Sequence, residues 1–122
     1  MTHELAVHTR TTPAGPVIEL VGALDHHSAP DVRTLLPRLA LSPGQQLVID
    51  LDRLTFCDST GITLLIAARN HALAADASVV LTAVPDGVIR TFRMVGLEQV
   101  FSVQPTSQAA AAAWTQPPPP PE

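Results

Sequence analysis

Apolar positions along this chain recur at two spacings, and their order predicts alternating strands and helices. Residues 4–9 (ELAVHT) and 17–21 (VIELV) read as two short strands. Pro13, Gly15 and Pro16 supply a turn between them, so residues 4–21 read as a hairpin that Gly22 ends. Ser28-Ala29-Pro30-Asp31 reads as a helix start, in which Ser28 caps, Pro30 sits in the first turn and Asp31 closes a capping box. Val32, Leu35, Leu36 and Leu39 then follow the i, i+3, i+4, i+7 pattern of a helix lying on a sheet, and Ser42-Pro43-Gly44 stops it. Gln46 to Leu51 (QLVIDL) is a compact apolar run that fits a buried central strand. Asp52 to Asp58 reads as a loop. Ile62, Leu65, Ile66, Arg69 and Leu73 mark one stripe of a second helix, with Arg69 at its polar edge. Ser78 to Val84 (SVVLTAV) is another strand. Pro85-Asp86-Gly87 opens a third helix carrying Val88, Ile89, Phe92 and Val95, and Gly96 has the position of a C′ glycine. Leu97 to Val103 supplies a last short strand or loop. The order β-β-α-β-α-β-α-β predicts an α/β fold whose helices cover one or both faces of a sheet.

The last segment breaks this pattern. From Pro105 the chain reads PTSQAAAAAWTQPPPPPE. Pro117 to Pro121 is expected to be extended polyproline II, and Ala109 to Ala113 is too short to persist alone as a helix. Residues 105–122 therefore read as a flexible Ala/Pro-rich tail that adds little to the core, after one domain over residues 1–104. A ligand for a proline-recognising partner is a weaker reading, because no basic residue flanks the prolines.

Composition narrows the function. At 122 residues the chain suits one domain, large enough to bury roughly two-thirds of its unfolded surface without a disulfide or metal. Seven Arg, no Lys and eleven Asp and Glu give a net charge of −4, which argues against a nucleic-acid or anionic-membrane surface. The single cysteine, Cys57, makes neither a disulfide nor a zinc pattern. Aromatic residues total 3%, too few for base stacking or an aromatic cage. No apolar run reaches the 18 or so residues of a membrane span. Met1-Thr2-His3-Glu4 lacks the basic and apolar parts of a signal peptide, so the cytoplasm is the expected location.

The most informative stretch is Leu47 to Asn70 (LVIDLDRLTFCDSTGITLLIAARN). A buried strand runs into a loop that delivers Asp58-Ser59-Thr60-Gly61 to a helix start, where free N–H groups and about half a positive charge favour an anion. Phosphate on Ser59 would meet those groups without unfolding the domain, and Gly61 lets the backbone turn tightly beside it. The plainer reading is that Ser59 is an N-cap, worth roughly 1 kcal/mol to the helix. Asp58 either caps or pre-organises the loop, or orients the Ser59 hydroxyl; Thr60 reads first as a structural residue of the first turn and second as an alternative acceptor.

This stretch resembles the STAS domain of bacterial anti-sigma factor antagonists, the SpoIIAA-like proteins, in which a D-S-[ST]-G motif follows the central strand. Gly22-Ala23-Leu24-Asp25 with Ser28-Ala29-Pro30 resembles that family's G-x-L-D…AP segment. Val95-Gly96-Leu97-Glu98-Gln99-Val100-Phe101 resembles its closing helix, glycine and hydrophobic end. The likeness spans roughly residues 3–104. It implies a mixed sheet of about four to five strands packed with three main helices. It also implies that Ser59 is phosphorylated by a partner anti-sigma factor with serine kinase activity, that a phosphatase resets it, and that Asp58, Thr60, Gly61, Asp25 and Asp52 shape the loop or touch the partner. Ile62-Thr63 stands where the family commonly has Leu-Gly, and Thr63 is the bulkier residue at the partner's approach.

Other chemistries fit less well. Around Ser59 the first glycine of a G-x-S-x-G elbow is Cys57, and His71 lies some three turns along the same helix. Cys57 as a nucleophile needs a positive neighbour, and Asp58 opposes it. No Walker A or GxGxxG pattern is present, so the ATP belongs to the partner and this chain reads as a substrate rather than an enzyme. His26 and His27 lack a third ligand at useful spacing, and no metal or other cofactor is expected. The alternatives are a STAS docking subunit of a lipid-transport ATPase complex or a ligand-sensing STAS module.

Overall fold

The computed structural model describes residues 4–115. Its elements, in order, are β1 (Leu5–Thr12), β2 (Gly15–Leu24), α1 (Ala29–Leu35), β3 (Gln46–Asp50), β4 (Leu54–Cys57), α2 (Ser59–Ala74), β5 (Ser78–Thr82), α3 (Asp86–Met94), β6 (Ser102–Gln104) and α4 (Ser107–Ala113). The strands form a mixed sheet in the order β1-β2-β3-β5-β6, with β4 paired to β2. Only β1 runs antiparallel, closing the predicted hairpin with Thr12 opposite Gly15. The other pairings are parallel.

Period-two alternation assigns the two faces. Ile18 and Leu20 of β2, Leu47 and Ile49 of β3, and Val79 and Leu81 of β5 pack with Val32, Leu64, Leu65, Ala68, Ala72, Val88 and Phe92 of α1, α2 and α3. Their intervening neighbours Val17, Val48 and Val80 point the other way and form a second, smaller cluster with Ala110 of α4. Small residues decide how close α2 lies: Ala68 and Ala72 are buried, whereas Leu73, expected on the core stripe, is exposed. Phe92 stacks on Phe101 at 5.4 Å between ring centroids, which anchors α3 to the segment after it.

The structure also corrects the sequence reading of the elements' ends and order at five places. Gly22 does not end the hairpin; β2 continues to Leu24 through a register shift between Gly22 and Ala23, with Gly22 at φ +114°. β2 leaves β3 after Glu19 and already pairs with β4 at Gly22, so the shift falls within the β2–β4 ladder, with Thr55 as the extra residue on β4. Residues 54–57, read as loop, are strand β4, held by pairing to β2 that no local pattern reveals. The first helix ends at Leu35 and passes into a 3-10 turn at Leu36–Arg38, because Pro37 cannot supply the next helical N–H. Ser28 makes no side-chain cap on α1, so the predicted capping box is absent. Finally, residues 107–113 depart from the picture of a tail. They form α4, capped by the Thr106 hydroxyl, which accepts from the Ala109 N–H at 3.0 Å. Gln46 donates through Nε2 to the Ala110 carbonyl at 3.0 Å, and the Trp114 indole donates to the Gly44 carbonyl at 3.0 Å. The polyproline expectation for Pro117 to Pro121 lies outside the described residues.

Candidate functional site

Parallel pairing of Gly22–Leu24 with Leu54–Cys57 sets the end of β2 alongside the end of β4, so two parallel strands release their loops side by side. Such carboxyl ends are where open α/β sheets gather function. The loop after β2 is tightly made. Asp25 accepts through Oδ1 from the His27 N–H at 2.9 Å and the Ser28 N–H at 3.0 Å. The Ser28 hydroxyl accepts from the Asp25 N–H at 2.9 Å and donates to the Ala23 carbonyl at 2.8 Å. Ser28 therefore braces the loop instead of capping the helix. The Ser28 N–H bond leads in holding the Asp25 carboxyl below its ordinary value, against the opposing effect of burial, with the His27 bond adding to it.

The loop after β4 is a helix cap. Asp58, not Ser59, occupies the N-cap: its backbone is extended, and Oδ1 accepts from the Gly61 N–H at 2.9 Å. The Asp58 N–H donates to the Leu24 carbonyl at 3.3 Å, which ties the start of α2 to the end of β2. The other carboxylate oxygen lies 3.9 Å from Nδ1 of His26. Ser59 is thus the first residue of α2, and it is exposed. The first N–H groups of a helix have no partner within it, so a group on the Ser59 oxygen sits at a favourable end of the helix dipole.

Gly61 has a role other than the tight turn expected of it. It lies within α2, and a Cβ there would stand 2.7 Å from the Leu24 carbonyl oxygen and 2.8 Å from the Cys57 sulfur. Only glycine lets α2 start this close to β2 and β4. The Cys57 thiol is pushed up to about 11, first by burial and then by the Asp58 charge. It is a protonated, half-buried strand end at neutral pH, not a nucleophile.

Asp25, Asp58, Ser59, Thr60 and Gly61 therefore come together. Asp52 has different neighbours: it lies in the turn after β3 and lines a groove with Asp50, Ala83 and residues 105–108. His71 is on α2 with Ser59, twelve residues on and so about 18 Å away along the axis. Among the described residues no three His, Cys, Asp or Glu side chains meet to hold a metal. No helix among them is long and apolar enough to cross a membrane.

What sequence reasoning missed is the apolar surface around Ser59. A groove of about 300 Å³ runs between the start of α2 and the end of α3, lined by Cys57, Asp58, Ser59, Ile62, Thr63, Thr91, Val95 and Leu97. Val95, expected in the core, is 58% exposed at its edge, and Phe56 and Met94 are exposed nearby in sequence. The fourth apolar residue of the α3 stripe was the available signal, since Val95 falls just beyond the last helical turn.

Known proteins resemble the chain over most of its length. A family model described as "Mlab, STAS domain" matches residues 7–105. An anti-sigma-B factor antagonist of Listeria monocytogenes is 28% identical over 87 residues, covering 71% of this chain and 76% of that protein. One from Staphylococcus aureus is 22% identical over 99 residues, covering 81% and 92%. An anti-sigma factor antagonist from Mycobacterium paratuberculosis superposes with a TM-score of 0.77 at 24% identity, over 91% of this chain and 94% of that one. The antagonist SpoIIAA in its unphosphorylated form superposes at 0.70 and 23% identity, over 88% and 95%. The superpositions establish a SpoIIAA-like fold with one more strand and one more helix than the resemblance implied. With the family model spanning this much of it, the chain belongs to the STAS domain family.

Proposed function

We propose that this STAS domain is an anti-sigma factor antagonist that works by partner switching. With Ser59 unmodified it binds an anti-sigma factor that is also a serine kinase, and so frees a sigma factor. Phosphorylation of Ser59 by that partner ends the contact, and a phosphatase restores it. The observation that carries the reading is an exposed serine at the first turn of α2, capped by Asp58 and opening onto an apolar groove. The names of the Listeria and Staphylococcus relatives support the antagonist part of the reading. The groove supplies apolar contact area, and the serine supplies the control. A phosphate adds −1.5 to −2 charges at neutral pH. One acidic group of the partner about 4 Å away would then be repelled by roughly 4 kcal/mol per unit of added charge at an effective dielectric near 20, and each such unit is about a thousandfold in affinity. The kinase chemistry and its ATP belong to the partner, which places both proteins in the cytoplasm. Asp25, Thr60 and Gly61 set the shape of the contact, and Asp52 contributes at its own, separate rim.

Peptide mapping by mass spectrometry of the protein from its own cells tests this. Cleavage after Arg53 and Arg69 releases Leu54 to Arg69, which holds Thr55, Ser59, Thr60 and Thr63. Phosphate on Ser59 in part of the population is the expected result. A fully covered peptide with no phosphate, at rest and under stress, removes the switch and favours a permanently docked STAS subunit, as in a lipid-transport ATPase complex.

A further inference from the structure

The loop after β2 does more than brace the site, because it places a titratable ring against the cap of α2. His26 is 68% exposed, yet its Nδ1 is held 3.9 Å from the Asp58 Oδ2. Its ring is backed by His27 at 4.0 Å between centroids. The loop cannot easily withdraw it, since Asp25 and Ser28 fix the backbone on either side through four short hydrogen bonds. Asp58 divides its carboxylate between the two structures: Oδ1 takes the Gly61 N–H and Oδ2 faces the histidine.

We propose that His26 is the counter-group of the phosphorylated site: when Ser59 carries phosphate, His26 takes up a proton and pairs with the phosphate and Asp58 together. The assignment rests on the reading of Ser59 as the acceptor. The charges facing the ring decide its direction. From the α2 cap it meets Asp58. From its own loop it meets His27, and Asp25, whose Oδ1 is turned onto the His27 and Ser28 N–H groups. Among the described residues no arginine lines the groove that holds Ser59. A phosphate beside Asp58 therefore brings the local charge to about −3, and His26, which faces the second carboxylate oxygen of Asp58, is the group placed to answer. Histidine is also the side chain whose charge changes nearest physiological pH. Below neutrality the proton offsets part of the phosphate, so the charge step felt by a partner is smaller in acid and larger in mild alkali. The switch is thereby linked to pH.

The test uses the full chain with phosphoserine encoded at position 59, beside the unmodified chain, both with 13C-labelled histidine. Ring Cε1–Hε1 signals are followed by NMR from about pH 5 to about pH 9. The expected result is a titration midpoint for His26 about one pH unit higher in the phosphorylated chain, a tenfold gain in proton affinity, with His8 and His71 unmoved. In H26Q the 31P signal should lose its coupling to a histidine titration. Identical His26 titration in the two chains, or a shift confined to His27, overturns the assignment. Because the phosphate is encoded, this outcome is independent of whether cells ever phosphorylate Ser59, which the peptide map decides.

Discussion

At the scale of single residues, the site depends on what is absent from Gly61 and on what Asp25 is bonded to. A methyl group at position 61 meets a backbone carbonyl at 2.7 Å and a half-buried sulfur at 2.8 Å, neither of which is the loose end of a flexible chain. Gly61→Ala should therefore lower stability by about 1–3 kcal/mol despite alanine's better helix propensity. Thermal unfolding followed by circular dichroism should show a midpoint lower by at least about 4 °C; an unchanged midpoint would show that α2 can lift off β2 freely. Asp25 sets a pH dependence. Its folded-state value is below the ordinary 3.8, so its ionised form contributes stability that is complete above that value and is lost as pH falls through it. The stability difference between the natural chain and Asp25→Asn, read from urea melts, should hold steady near neutrality and shrink below about pH 3.8. A difference that stays level into acid would mean that the two loop hydrogen bonds do not need the charge.

At the scale of elements, the back face of the sheet carries the clearest test. Val17, Val48 and Val80 are covered by α4 through a single buried side chain, Ala110. Ala110→Asp would put an unpaired carboxylate against three valines, and should cost about 2–3 kcal/mol or undock the helix. Ala112→Asp, on the exposed side, should stay within about 0.5 kcal/mol. Equal urea midpoints for the two variants would show that α4 contributes nothing to the core. The same helix shows where local pattern stops being informative. An alanine run has no apolar stripe to read, and its burial depends on valines far away in sequence. β4 escaped notice for a related reason: Leu54 turns inward while Phe56 faces out, and four residues are too few to reveal a period. The elements with long or one-sided apolar patterns were legible, namely β3, β5, α2 and α3. In the site, Asp58 to Gly61 could be read because they are contiguous. The α3 flank of the groove could not, because Thr91, Val95 and Leu97 meet Ser59 only through the tertiary fold.

At the scale of the whole molecule, the separation of the two faces determines what a phosphate on Ser59 can change. Ser59 is exposed and belongs to neither apolar cluster, so a phosphate there is expected to leave the packed groups in place. The net charge of −4 becomes about −6. The chain with encoded phosphoserine should melt within about 2 °C of the unmodified chain, since surface changes away from packed groups are worth about 0.5 kcal/mol or less. Its amide NMR shifts should change around residues 24–28, 56–63 and 91–97, and remain in place along β1 and α4. Widespread changes, or an altered back face, would mean that phosphorylation acts by reshaping the domain. If only the rim responds, release of a partner must be electrostatic, and it should then weaken as salt is raised through the range where the Debye length falls from about 10 Å to about 3 Å.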